Sequence, residues 1–242
     1  MMVQVSRTLA QVREEWRRRV VAEYGSAALA HSLTFWLIKL GASPTLLHEG
    51  LRIVDDELVH AELSFAVVAS AGGAEVELTA ARLGLEPEPG LTLGENVALQ
   101  GVRLFCLGET VAVRLFKRLR EHCSEEVART ALDRILADEV RHRDFGWLLL
   151  EWLAGLPEWP RYRELITQRL PDQFAELRGN YESRALSTTA AFDEGLRAWG
   201  LMPSADYAAA VLETLERDYV PRFAAYGIDA AGAFGRIAGH GE

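Results

Sequence analysis

Two copies of one five-residue word constrain this chain more than any other feature. Asp56-Glu57-Leu58-Val59-His60 and Asp138-Glu139-Val140-Arg141-His142 both read Asp-Glu-x-x-His, and each lies inside a long apolar-periodic stretch with no Pro or Gly beside it. On an α-helix, residues three apart share a face. Glu57 and His60 therefore point the same way, and so do Glu139 and His142. A helical face that buries a carboxylate with an imidazole needs compensation, because an unpaired buried charge is costly.

The surrounding periodicity predicts four long helices. The first runs from near Thr8 to Leu40 and stops at Gly41, with an inward stripe of Trp16, Val20, Glu23, Ala27, Ala30, Thr34 and Leu37. Ser43-Pro44 supplies an N-cap and a first-turn proline for the second, which runs to about Ala71 with a stripe of Leu46, Gly50, Ile53, Glu57, His60, Ser64 and Val67. Residues 72–94, rich in Gly and Pro, read as a long connection with one short helical candidate, Glu77 to Leu83. The third helix starts near Glu95-Asn96 and runs to about His122, with a stripe of Val102, Cys106, Glu109, Ala112 or Val113, and Phe116. Ser124 caps the fourth, which runs to Ala154 with a stripe of Leu132, Ile135, Glu139, His142, Gly146, Leu149 and Leu153. None of these stripes holds Arg or Lys.

Short, long and short connections between four helices are the ferritin-like way of threading a four-helix bundle, with one long crossover. The fold class expected is all-α: this bundle over residues 1–156, and a helical C-terminal extension over 157–242 that packs on it. Helical candidates in the extension are Arg161 to Tyr181 with a break at Pro171, Thr188 to Trp199, and Ser204 to Tyr219 with Pro221 beyond its end. The two halves of the bundle repeat one scheme, a helix with a lone inward Glu followed by a helix with Asp-Glu-x-x-His.

Composition excludes several classes of function. A net charge of −9 argues against a nucleic-acid partner held through phosphates. Arg17-Arg18-Arg19 and Arg114 to Arg120 lie among acids on predicted helices and read as solvated faces. No apolar run is long enough to span a membrane, and the charged Met1 to Arg19 lacks the apolar core of a secretory signal. Two cysteines, Cys106 and Cys123, do not make a disulfide framework, and a reducing cytoplasm is the expected location.

The repeated scheme offers six ligands of the kind that iron or manganese takes, hard oxygen with imidazole. Glu23, Glu57 and His60 come from the first half, and Glu109, Glu139 and His142 from the second. Lone Glu residues on two helices and Glu-x-x-His on two others form a known bundle site for a metal pair. Four carboxylates carry −4, which two divalent ions balance. Asp56 and Asp138 turn about 100° away from the ligand face and are expected to accept the spare ring N–H of ligand histidines from neighbouring helices, which orients them. His31, His48, Glu62, Glu121 and Glu151 lack this correspondence and read as surface groups. Cys106, one turn before Glu109, reads as a small buried hydrophobe. Tyr24 beside Glu23 is a weak candidate for electron transfer.

Glu23-Tyr24-Gly25-Ser26-Ala27, Asp56 to His60, Cys106-Leu107-Gly108-Glu109-Thr110 and Ala137 to His142 resemble the ferritin-like diiron-carboxylate superfamily, in particular bacterial ferritin-like proteins of unsettled function. The resemblance covers about Val12 to Trp152. It implies two iron ions, or manganese with iron, held by Glu23, Glu57, His60, Glu109, Glu139 and His142, with O2 as co-substrate. The expected activity is that of a non-haem diiron oxygenase or oxidase. Such an enzyme reduces O2 at the diiron(II) centre to hydroxylate, desaturate or N-oxygenate a small organic substrate, with room for an external electron donor and for a homodimer. Ala27, Ala30, Ser64 and Gly146 read equally as space beside the metals and as close helix packing. The alternative activity is ferroxidation, for which the C-terminal extension is an awkward load in a closed cage. A rubrerythrin-like peroxide scavenger would carry a Cys-x-x-Cys module, which is missing here.

Overall fold

The computed structural model describes residues 2–74, 76, 78, 84–182 and 192–238. Every regular element among them is helical. Helix α1 spans Met2–Lys39 and α2 spans Pro44–Ser70. The turn between them is built as its residues dictate: Gly41 takes a φ of 71°, and the Ser43 hydroxyl accepts the Leu46 N–H at 3.3 Å. After α2 the chain turns at Gly72, with a φ of 78°. The helical candidate Glu77 to Leu83 lies largely outside the described residues.

The third predicted helix is in fact three pieces. Helix α3 spans Leu93–Gly101, a π-helical segment spans Val102–Glu109, and α4 spans Thr110–Glu121. The π segment moves the buried face. Beyond Glu109 the expected stripe of Ala112 or Val113 and Phe116 is only half buried. Val111, Leu115 and Leu119 form the core instead. A wider π turn adds a residue to the period, so a stripe counted at 3.6 residues slips by one. Helix α5 runs unbroken over Glu126–Ala154, and its expected stripe is buried throughout.

The C-terminal part contains α6 (Trp159–Glu182), α7 (Glu194–Ala198), α8 (Ser204–Thr214), a second π segment (Leu215–Tyr219), α9 (Val220–Ala224) and α10 (Ala230–Ala238). Pro171 lies within α6 without ending it, against expectation, whereas Pro221 falls past Tyr219 as expected and takes the first turn of α9. The first turn is where a missing N–H costs least. Of the expected helix over 188–199, residues 188–191 fall outside the described ones and the rest narrows to α7.

Contacts group the chain into two compact units. The first comprises Met1–Glu86, Phe116–Asp138 and Thr188–Met202. Here α1 packs on α2 closely: a Cβ added to Gly50 would fall 2.5 Å from Thr34 Oγ1. Helix α7 is stitched in by hydrogen bonds. Trp16 Nε1 donates to Trp199 O at 3.0 Å, and Thr8 Oγ1 to Asp193 Oδ2 at 2.6 Å. The Ser124 and Glu125 N–H groups, ahead of α5, donate to Ala198 O at 3.0 and 2.9 Å.

The second unit comprises Pro87–Leu115, Glu139–Ser187 and Pro203–Glu242. Its core is an aromatic cluster. Phe174 lies 5.6 Å from Tyr219 and 5.4 Å from Phe234 between ring centroids, and Tyr219 lies 6.5 Å from Phe223. Helix α3 enters it through a full capping box. The Thr92 N–H and hydroxyl both donate to Glu95 Oε2 at 2.7 Å, and the Glu95 N–H returns to Thr92 Oγ1 at 3.3 Å. Arg161 Nε donates to the other Glu95 oxygen at 2.5 Å.

The hydrogen bonds from Thr92, ahead of the Arg161 charge, hold the Glu95 carboxyl below its ordinary range. A lowered folded-state value means stability that is present above the unfolded-state value and lost as pH falls through the folded one. Glu95→Gln should therefore cost about 1 kcal/mol at neutral pH. The gap to wild type should close below about pH 4, as read by urea denaturation across pH.

Candidate metal centre

Each half of the chain builds the same local pair. On α2, His60 Nδ1 lies 3.7 Å from Glu57 Oε2, and on α5, His142 Nδ1 lies 3.7 Å from Glu139 Oε2. All four residues are buried, both histidines completely. The i, i+3 spacing sets each pair on one face, and the helix holds them at nearly equal separation. That separation is beyond hydrogen-bond length. It suits two ligands of one ion, which at bond lengths of about 2.1 Å lie roughly 3–4 Å apart.

Ligand atoms converge in two groups. One is Glu23, Glu57, His60 and Glu139, and the other is Glu57, Glu109, Glu139 and His142. Within each group the offered atoms all lie within 4.8 Å of one another. All six expected ligands are present, and Glu57 and Glu139 belong to both groups. Each group thus contains one lone Glu, one His and the same two carboxylates. Glu109 is half buried and the others are buried. These Glu and His side chains could hold a metal ion. Their chemistry, carboxylate oxygen with neutral imidazole, fits iron or manganese better than a thiolate-seeking metal.

The acids beside the ligands anchor this arrangement. Asp138 Oδ2 lies 3.1 Å from His60 Nε2. A ring proton on Nε2 then donates to the carboxylate and turns the Nδ1 lone pair toward the Glu57 side. Arg134 Nε donates to the same Asp138 oxygen at 2.5 Å, and its Nη2 reaches Asp56 Oδ1 at 3.4 Å. One half-exposed guanidinium therefore serves both buried aspartates. Arg134 was missed in the sequence, although a signal existed: Arg stands four residues before the Asp in both words, as Arg52 and Arg134. Arg52 is exposed.

Glu109 is carried on the last residue of the first π segment, a frequent habit of functional positions. The residues on either side of it are braced, one through its backbone and one through its side chain. Tyr219 donates its hydroxyl to Leu107 O at 2.6 Å, and Trp147 Nε1 donates to Thr110 Oγ1 at 3.0 Å. Complete burial pushes the Tyr219 hydroxyl well above its usual range, so it remains a donor. Cys106 is buried and its thiol reaches Gly146 O at 3.2 Å. Burial also raises its thiol, which keeps it protonated, and it belongs to neither ligand group.

The small residues divide. A Cβ on Gly146 would fall 2.6 Å from Phe105 C and 2.9 Å from Cys106 N, so this glycine exists for helix contact and not for substrate space. His31, His48, Glu62, Glu121 and Glu151 are exposed, and Tyr24 is half buried. One basic residue departs from its expected place. Arg19 is not on a solvated face; it is only 8 % exposed. Its guanidinium carbon lies 4.1 Å from the Trp16 ring centroid and 5.3 Å from that of Phe116. Such stacking contributes up to about 2 kcal/mol. Withdrawing a charge from water costs several kcal/mol, so the rings offset only part of it. The stripe that was to hold no Arg has one at its edge, because Arg19 follows Trp16 by a single turn.

No protein-family model matches the chain, and comparison with curated proteins and with solved structures also gives no match.

Two substitutions test this geometry. Gly146→Ala should destabilise the fold by about 1–3 kcal/mol through overpacking against Phe105, measured by thermal unfolding; a neutral result would mean the contact yields easily. Tyr219→Phe should keep the aromatic core at a cost of about 1 kcal/mol. It should also weaken divalent-metal affinity by roughly tenfold through Glu109. Equal metal titrations for wild type and variant would detach Tyr219 from the site.

Proposed function

We propose that the chain is a non-haem dimetal oxidoreductase that uses O2 to oxidise a small organic molecule, built on a ferritin-like bundle. The observation that carries this reading is the overlap of the two ligand groups at Glu57 and Glu139. Glu57 and Glu139 would each serve both ions of a pair, which would let the pair act together on one O2 molecule, whereas two unrelated sites would share no residue. Glu23 and His60 would complete the ligands of one ion, and Glu109 and His142 those of the other. A bound pair of iron ions, or manganese with iron, would supply two of the four electrons that O2 reduction requires, with the substrate giving the other two and an external donor restoring the metals.

The chain's own part is to hold charge, orientation and dryness. Four ligand carboxylates balance two divalent ions. Asp138 keeps the His60 ring in one orientation and makes it a better donor, and Arg134 holds Asp138 in place through its Nε. Ile53, Leu132 and Ile135, buried on the same helices, exclude bulk water from the ligands. The half-buried Glu109 is the ligand nearest to solvent, which favours that side for the entry of small molecules.

The test is metal content after anaerobic Fe(II) loading, followed by exposure to O2. Wild type should bind about two ions per chain. Glu23→Ala and Glu109→Ala should each leave about one, and Glu57→Ala and Glu139→Ala should leave less than one, since each of those carboxylates serves both ions. Equal stoichiometry in all four variants would remove the ligand assignment. With a reductant present, O2 uptake should continue with the iron content constant. Accumulation of ferric iron far beyond the two sites would favour the ferroxidase instead.

A further inference from the structure

Two of the buried polar groups outside this scheme stand one turn from proposed ligands on facing helices. Arg19 precedes Glu23 by four residues and Ser64 follows His60 by four, so each stands one turn from a proposed ligand on its own helix. The register of α1 on α2 brings those turns to one level. Thr34 meets Gly50, and Arg13 Nη1 donates to Ala71 O at 2.9 Å. Between these two contacts the antiparallel helices set position 64 across from position 20, next to Arg19. Ser64 is wholly buried, and its hydroxyl has no hydrogen-bond partner among the described residues. The same holds for Arg19 Nη1, and no described carboxylate pairs with that guanidinium.

A buried guanidinium nitrogen and a buried hydroxyl, each without a hydrogen-bond partner, are costly unless something else satisfies them. The aromatic faces of Trp16 and Phe116 stack on the cation but cannot neutralise it. We propose that Arg19 and Ser64 receive the carboxylate of the substrate, so that the molecule oxidised at the metal pair is a carboxylic acid. This rests on the function proposed above. The guanidinium fork matches two carboxylate oxygens, and the serine hydroxyl adds a third donor. A single negative charge balances a single buried cation, which a phosphate dianion would not. The two rings give the adjoining hydrocarbon flat apolar walls, and the rest of the molecule extends along α1 toward Glu23.

The experiment is calorimetric titration with octanoate, on metal-free and on Fe(II)-loaded protein, with octanol and inorganic phosphate as controls. Wild type should bind octanoate in both forms and more tightly than either control. Arg19→Met keeps the apolar volume and should weaken octanoate binding at least about tenfold, the weight of a charge-assisted hydrogen bond. Ser64→Ala removes one unsatisfied hydroxyl, so its melting temperature should not fall, yet its octanoate affinity should drop severalfold. If Arg19→Met fails to fold, Ser64→Ala decides alone. No octanoate binding to wild type, unchanged affinity in the folded variants, or tighter binding of phosphate would each overturn the inference. Metal content of the same samples separates the two readings. Missing metal counts against the dimetal centre, and missing Arg19-dependent binding counts against the carboxylate site.

Discussion

Four carboxylates in two overlapping groups, with offered oxygens within 4.8 Å of one another in each, are the constraint to which the rest of this protein answers. At 4 Å, two like charges repel by about 4 kcal/mol even at the effective dielectric of a protein surface. Four such groups bring several of these terms together. A chain without a counter-charge would protonate the acids or swing them outward. Here they stay inward on α1, α2 and α5 and at the end of the first π segment. Arg134 pairs with the acids beside the ligands, Asp56 and Asp138. A metal ion is a counter-charge that these groups could hold, and the helices bring the side chains together for it.

That arrangement explains where local regularity is given up. Two π segments interrupt otherwise ordinary helices, and they meet at one hydrogen bond: Tyr219, the last residue of the second, donates to Leu107 within the first. A carbonyl in a π turn is poorly served by its own helix, and Leu107 O takes both the Thr110 N–H and the tyrosine hydroxyl. Since Glu109 lies two residues beyond Leu107, the C-terminal helices bear on the ligand's backbone without supplying a ligand themselves. Their aromatic cluster gives that hydroxyl a rigid mount. The C-terminal helices thus have a structural role at the site although they supply no expected ligand.

Legibility in the sequence followed local regularity. On α1, α2 and α5 every position of the expected stripe is buried, because straight α-helices keep the 3.6-residue period from which the stripe is counted. The caps at Ser43 and the glycine stops at Gly41 and Gly72 are equally local, and they stand where their residue types place them. On the third helix the period changes, so Cys106 and Glu109 could be placed but Val111 and Leu115 could not. Nothing in Val102 to Glu109 announces a π turn. Its partner, Tyr219, is more than a hundred residues away.

Pairings between distant segments escaped for the same reason, and they matter most at the centre. Asp138 could be assigned an orienting role from its place beside Glu139, but the histidine it meets, His60, lies on α2. Arg134 could not be assigned at all without knowing that α2 brings Asp56 within its reach. Arg19 is the clearest instance. Its neighbours Arg17 and Arg18 are on the outer face as basic runs usually are, and Arg18 pairs with Glu14 in solvent. One further residue is a rotation of about 100°, enough to carry the third arginine from water to the ring of Trp16. Composition treats the three as one patch; helical geometry makes one of them a buried charge, one turn from Glu23. Where the charge of a residue and its burial disagree, as at Arg19, a ligand is the economical physical explanation, because neither the rings nor the helix supply the missing anion.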